Sequence, residues 1–226
     1  MLRVDIITLF PEMLSGFLEQ SMMKRASLLG KVRFSFVNPR DFTDDPHRTT
    51  DDRPYGGGPG MVMKPEPLAR AITSVRTPDS RVIYLSPQGQ VFHQRKAEAL
   101  ALASHLIFLC GHYEGIDERI IDRYVDEEIS IGDYVLTNGV LAAGVLIDAT
   151  VRLIPGVLGG EGAAEAESHT QTLLDHPHYT RPEIFQDQPV PDVLLSGNHA
   201  AIAAWRRQQS EIRTREKRPD LLPPAT

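Results

Sequence analysis

The sequence predicts an α/β fold built on a parallel sheet, followed by a small, mainly helical domain. Strand-length apolar runs alternate with segments of helical period through the first two-thirds of the chain. Two of those runs, 81–86 and 106–110, flank an amphipathic stretch at 94–104, the spacing of a βαβ crossover between parallel strands. At Gly159-Gly160-Glu161-Gly162-Ala163-Ala164-Glu165 the composition turns small and polar, as in a linker. The expected organisation is a domain at 1–158, a linker at 159–168 and a second domain at 169–226.

Taken in order, residues 4–9 form a first strand. Pro11 opens a helix, because its missing N–H costs nothing in the first turn. Leu14, Phe17, Leu18, Met22, Ala26 and Leu29 then keep helical spacing up to a stop at Gly30. A second strand covers 32–37. Residues 38–63 are rich in Pro, Gly and Asp without apolar period, which is long for an idle loop in a compact domain and points to function. A helix at 65–75 precedes the βαβ unit. Residues 141–153 are apolar on most sides and predict a buried helix, ended by Pro155-Gly156. In the second domain Ile202, Trp205 and Ile212 share one side of a helix entered through Ser196-Gly197-Asn198. The sequence carries no internal repeat.

Bulk properties exclude several classes. With 226 residues, 41% hydrophobic and 24% charged, the chain buries a core and is neither disordered nor fibrous. One cysteine, Cys110, allows neither an intramolecular disulfide nor a Cys/His metal framework. The first strand lacks a basic leader and a small-residue cleavage site, and no apolar stretch approaches the roughly 18–20 residues that cross a bilayer. The expectation is a cytoplasmic protein with no membrane partner. A net charge of −6 argues against nucleic acid for the chain as a whole. Between Trp205 and Arg218, however, six basic residues (Arg206, Arg207, Arg213, Arg215, Lys217, Arg218) face only Glu211 and Glu216. This stretch reads either as a nucleic-acid patch or as a solvated helix face.

Chemistry concentrates in loops. Asp51-Asp52-Arg53-Pro54-Tyr55-Gly56-Gly57-Gly58-Pro59-Gly60-Met61 has three consecutive glycines that permit close approach of a ligand, bracketed by acids, Arg53 and Tyr55. The alternative is a flexible surface turn. No Gly-Lys-Ser/Thr follows, so it is not a nucleotide P-loop. Three more loops follow strands: Ser86-Pro87-Gln88-Gly89, 111–119 and 131–139. Open α/β sheets bind ligands beyond the carboxyl ends of their strands, so together these loops predict one cofactor pocket, although each alone reads equally as a tight turn. The acidic run Asp126-Glu127-Glu128 reads as a solvated edge rather than a cation site. His176-Pro177-His178-Tyr179-Thr180-Arg181-Pro182 offers rings for stacking on bases and a guanidinium for phosphate, or else forms a proline-stiffened turn between domains.

These segments resemble the bacterial tRNA (guanine-N1)-methyltransferases. The resemblance is carried by Leu9-Phe10-Pro11-Glu12, Pro39-Arg40-Asp41-Phe42, 51–61, Tyr84-Leu85-Ser86-Pro87-Gln88-Gly89, 111–119, 130–136, 152–159, His178-Tyr179-Thr180-Arg181-Pro182 and Leu194-Leu195-Ser196-Gly197-Asn198-His199, in family order over nearly the whole chain. It implies a SPOUT-type α/β fold whose parallel-sheet domain carries a trefoil knot, with a small C-terminal helical domain for tRNA, in an obligate homodimer. The implied reaction moves a methyl group from S-adenosylmethionine to N1 of guanine 37, beside the anticodon. The implied cofactor wall is Tyr84, Leu85, Ser86, Pro87, Gly89, Gly111, Tyr113, Glu114, Gly115, Ile131, Gly132, Asp133, Tyr134, Val135, Leu136, Asn138 and Gly139, where backbone amides and carbonyls read the adenine. The implied substrate contacts are Asp51, Arg53, Tyr55, Gly57, Gly58, His178, Tyr179, Arg181, Ser196, His199, Arg206 and Arg207. The tRNA would lie across both subunits, the second domain of one completing the active site of the other.

The reaction asks for removal of the N1 proton and stabilisation of charge growing toward O6. The resemblance gives the second task to Arg152 and the first to Glu167, where family members usually carry aspartate, with Glu165 as the alternative. It also implies Mg2+ for activity. Three departures stand in the cofactor wall: Asn138 for a usual glycine, Val140 for a usual glutamate and Ala142 for a usual proline. Asn138 is expected to tolerate a positive φ. If the usual glutamate positions a cation, Glu114 or another acid takes that role here. The second domain, ending soon after 218–222, is expected to lack some peripheral tRNA contacts. Two rivals remain open: a SPOUT enzyme acting at another RNA position, a ribose 2′-hydroxyl included, and a non-catalytic RNA-binding relative.

Overall fold

Residues that alternate in the sequence alternate between two cores in the computed structural model, which describes residues 1–159, 167–169 and 172–222. The first unit, Met1–Gly159, runs β1 (Leu2–Ile7), α1 (Glu12–Leu18), α2 (Ser21–Leu28), β2 (Val32–Val37), a short antiparallel pair β3 (Asp51–Asp52) and β4 (Val62–Met63), α3 (Pro65–Val75), β5 (Ser80–Val91), α4 (Gln94–Ala101), β6 (His105–Cys110), α5 (Glu118–Tyr124), β7 (Glu127–Ser130) and α6 (Val140–Val151). Five strands form one sheet in the order β2-β1-β6-β5-β7, every pairing parallel. Leu106, Phe108 and Cys110 of β6 point into a core shared with α1, α2, α4 and α6, whereas Ile107 and Leu109 point into a second core with α3 and α5. Burial on both faces explains why these strands read as continuous apolar runs.

The βαβ unit is β5-α4-β6, as the spacing predicts. Strand β5 then behaves unexpectedly: its pairing with β7 passes from Leu85↔Ile129 directly to Gln90↔Ile129, so residues 86–89 leave the ladder as a bulge. The predicted helix over 11–30 is two helices. Gln20 is extended and Ser21 has φ +47, and the break shifts the helical phase so that Met23, not Met22, is fully buried, with Phe17 and Leu29 left exposed. The stop at Gly30 holds, closed by Lys31 N–H donating to Ala26 O at 2.9 Å. Segment 38–63 contains a 3-10 turn, Pro39–Phe42, and the β3–β4 pair. Helix α6 is buried along most of its length, but Leu141 and Val145, one turn apart, stay 54% and 48% exposed in the single chain.

The second unit, Gly160–Thr226, contains β8 (Ile184–Phe185), β9 (Gln188–Pro189), α7 (Asp192–Leu195) and α8 (His199–Lys217) among its described residues. Asn198 caps α8, accepting from Ala201 N–H at 3.2 Å, at the helix start that Ser196-Gly197-Asn198 predicts. Trp205 is half-buried and faces Tyr179, but Ile212 remains at the surface, so the core side of α8 is narrower than expected. The chain leading into the unit is tied to α8 by Leu174 N–H donating to Thr214 Oγ1 at 2.8 Å. Of the expected linker, residues 160–166, including Glu165, lie outside the described residues. Among the described residues no helix is long and apolar enough to cross a membrane.

Candidate active site

The carboxyl ends of β5, β6 and β7 open onto one cleft. Of the cofactor residues expected from sequence, Tyr84, Leu85, Ser86 and Pro87 line it from the β5 bulge, Gly111, Tyr113, Glu114 and Gly115 from the loop after β6, and Ile131, Gly132, Tyr134, Val135, Leu136, Asn138 and Gly139 from the loop after β7. Gly89 and Asp133 do not line it. A side chain at Gly89 would collide with the backbone of Glu128 and Ile129, so that glycine serves the resumed strand pairing. The floor depends on close approach: a Cβ on Gly139 would sit 3.0 Å from Cys110 Cα and 3.1 Å from Leu85 Cβ. Gly139 N–H donates to Gly111 O at 3.0 Å, drawing the third loop back against the end of β6.

Val140 and Asn138 depart from the family pattern for visible reasons. Val140 is 1% exposed and belongs to the core. The Asn138 side chain accepts from Val140 N–H at 2.9 Å and so turns the chain into α6; its φ is not positive, so the loop never calls on its tolerance of the left-handed region. Burial, and after it the Glu128 carboxylate, push the Tyr84 phenol up to about 12, so it stays a neutral hydroxyl. His112 also lines the cleft, between the rings of Phe10 at 5.0 Å and Tyr113 at 4.5 Å, and its buried Nδ1 has no hydrogen-bond partner among the described residues.

The glycine-rich segment is stitched to this wall. Glu114 N–H donates to Met61 O, Met63 N–H to Gly115 O, and Asp117 N–H to Met63 O, each at 3.0 to 3.1 Å. Gly60, at φ +81, packs directly on the Glu114 side chain. Gly57 and Gly58 have positive φ and open surroundings, Tyr55 is fully exposed, and Arg53 is exposed beside them. Asp51 stands next to Tyr113: burial first, then the Asp51 carboxylate, push that phenol above its ordinary value, against the opposing Arg40. The candidate substrate loop and the candidate cofactor wall are therefore one hydrogen-bonded assembly.

Arg152 ends α6 in the first unit, half-buried; Glu167 lies in the second unit, also half-buried. In the second unit His178, Tyr179, Arg181 and Arg206 line one pocket, whereas Ser196, His199 and Arg207 do not; Ser196 terminates α7, His199 begins α8 and Arg207 pairs with Glu211 at 3.1 Å. The acidic run is structural: Asp126 accepts from Val82 N–H and pairs with Arg76, and Glu127 pairs with Lys96. Sequence reasoning passed over His112, Gln88, Thr137 and Ser130, which sit inside segments it had singled out, and missed Ile129; Ala142, expected in the cofactor wall, lines the cleft. A side chain between two chosen neighbours, as His112 is between Gly111 and Tyr113, was the available signal.

A parallel five-stranded sheet covered by helices on both faces, with three looped strand ends closing on one cleft, defines an α/β protein with a ligand site at the carboxyl ends of its strands, an architecture consistent with a SPOUT-type fold. The family model described as "tRNA (Guanine-1)-methyltransferase TrmD" matches residues 2–224. A protein of Protochlamydia amoebophila named tRNA (guanine-N(1)-)-methyltransferase is 58% identical over 219 residues, covering 97% of this chain and 99% of the relative. Proteins with the same name from Anoxybacillus flavithermus and Pseudomonas putida are 54% and 57% identical, each covering 98% of this chain and 91% and 90% of the relative. The chain belongs to the tRNA (guanine-1)-methyltransferase family, the family its motifs resemble.

Proposed function

We propose that this enzyme methylates N1 of guanine 37, beside the anticodon of tRNA, with S-adenosylmethionine as the donor. The observation that carries the reading is the cleft, walled by three loops at the carboxyl ends of three parallel strands. Its residues fit that donor: apolar side chains such as Leu85, Ile131 and Leu136 line the cleft beside polar ones, and the unpartnered His112 Nδ1 awaits a polar group. Bound there, S-adenosylmethionine supplies a methyl group on a sulfonium centre.

This chain's residues do the rest. Glu167 takes the N1 proton, and Arg152 donates hydrogen bonds to O6, where negative charge grows as N1 attacks. Tyr55, Arg53 and the glycines at 57 and 58 form a lip for the anticodon loop, and Tyr179, Arg181 and Arg206 supply stacking and phosphate contacts. Glu114 is the carboxylate available to Mg2+, an ion that commonly takes one or two protein oxygens and leaves the rest to water and substrate. The return of residue 139 onto Gly111 supports the trefoil knot. Exposed Leu141 and Val145 on α6, with Met13 and Phe17 on α1, support the homodimer. The cytoplasm is where unmodified tRNA is met.

The test is methyl transfer from labelled S-adenosylmethionine to unmodified tRNA carrying guanine 37, with Mg2+ present. The expected product is 1-methylguanosine, with loss of about 100-fold or more in kcat for Glu167→Gln and for Arg152→Ala. Product made at full rate by Glu167→Gln would move the base elsewhere. Absence of product from the unaltered enzyme, despite donor binding, would remove the reading.

A further inference from the structure

In the second unit Asp175, His176 and His178 bring one donor atom each within 4.8 Å of one another. His178 Nε2 lies 2.8 Å from Asp175 Oδ2, and His176 Nε2 lies 3.7 Å from Asp175 Oδ1. Both rings thus present the same nitrogen to one carboxylate, with ring centres 4.5 Å apart. His176 decides what this arrangement means. Its Nδ1 is 3.1 Å from the Pro177 carbonyl, which can only accept, so the hydrogen sits on Nδ1. In the neutral ring Nε2 then carries a bare lone pair. That nitrogen faces Asp175, as the ligating nitrogen of a metal-bound imidazole faces its neighbouring ligand.

Asp175 is held ready to be a ligand. Its N–H donates to Ser168 Oγ at 2.9 Å, and its Oδ1 accepts from His176 N–H at 2.7 Å.

We propose that Asp175, His176 and His178 bind a transition-metal ion of the zinc class. In a tetrahedral zinc site with bonds of about 2.0–2.1 Å the ligand atoms stand about 3.3 Å apart. The three donor atoms, all within 4.8 Å of one another, reach that by side-chain rotation. The Nδ1–H bond from His176 to a carbonyl is the outer contact that orients a metal-bound imidazole. Two imidazoles select Zn2+, Co2+ or Ni2+ over Mg2+, which takes oxygen ligands. The exposure of His178 leaves the fourth position to water. This site is independent of the methyl-transfer reading.

Equilibrium dialysis of the untagged full chain against Zn2+ in excess Mg2+, repeated with Co2+ to read its visible spectrum, tests the site. The expected result is about one Zn2+ retained per chain. Affinity should fall at least about tenfold in His176→Gln and in His178→Gln, and the Co2+ bands should vanish in both. Binding should weaken as pH falls and the imidazoles protonate. No retained Zn2+, or retention and a Co2+ spectrum indifferent to both variants, overturns the proposal. Circular dichroism checks that each variant is folded; if His176→Gln is not, His178→Gln on the exposed ring carries the test.

Discussion

Strand β6 starts and ends among polar groups, and its two ends differ in what those groups are for. At His105, where it starts, Nε2 bonds Asp5 Oδ2 at 2.7 Å, Nδ1 bonds Ser80 Oγ at 2.7 Å, and Arg3 pairs with Asp5 at 2.8 Å. Asp5 is fully buried, and the chain Arg3-Asp5-His105-Ser80 ties β1, β6 and β5 together. The residue types are those of a hydrolytic triad, but all three strands start here and the ligand-binding end is the other one. After Cys110, where β6 ends, polar side chains such as Glu114 and Asn138 line an open cleft, and His112 Nδ1 is left without a partner. Buried polar groups that are paired mark cohesion, whereas polar groups that open to a cleft mark a site. One orphan blurs the contrast: Asp5 Oδ1 is buried and unbonded.

The largest expected effect falls at the cohesive end. Asp5→Ala strips the buried imidazole of its carboxylate, and breaking such a pair costs about 3–5 kcal/mol. Urea unfolding should show a loss near the lower figure, because Arg3 reaches solvent, while methyl transfer per folded molecule stays unchanged. Lost transfer with intact stability would make this end functional and break the comparison. At the open end, Gly139→Ala forces Cys110 and Leu85 apart by a few tenths of an ångström. Overpacking of this kind costs about 1–3 kcal/mol, and it should fall on the donor. Calorimetric titration with S-adenosylmethionine should show about tenfold weaker binding, worth about 1.4 kcal/mol, with a smaller shift in the unfolding midpoint. The reverse partition would mean that the cleft floor serves packing alone.

How much of this was legible in the sequence follows the same contrast. The sheet core was readable, because runs such as Leu106-Ile107-Phe108-Leu109 have no other use than burial on both faces. Strand β7 was not, because at this sheet edge Glu127, paired with both Lys96 and Arg81, and Glu128 stand where an apolar run would have marked a strand. The break at Ser21 and the hairpin turn at Gln186-Asp187 were hidden too: left-handed backbone at these residues lacks the glycine or asparagine that announces it. The cleft was legible loop by loop, since glycine after a strand is a strong mark, but Asp5 and His105 lie 100 residues apart and only the register of β1 with β6 brings them together.

The smallest expected effect sharpens the boundary between the two ends. Cys110 is 2% exposed, and burial pushes its thiol from 9.0 up to about 12. At pH 8 only about one molecule in ten thousand carries the thiolate, the nucleophilic form. Iodoacetamide should therefore leave the native chain unlabelled over hours and modify it fully in urea, as mass spectrometry would read. The sign of the linkage gives a second check. A thiol raised on folding holds its proton longer in the native state, so its contribution is constant below pH 9 and is lost as pH climbs from the unfolded value toward 12. Rapid labelling of the native chain, suppressed by S-adenosylmethionine, would mean that the floor of the cleft breathes open to the end of β6, and the closed packing of Gly139 on Cys110 would have to be given up.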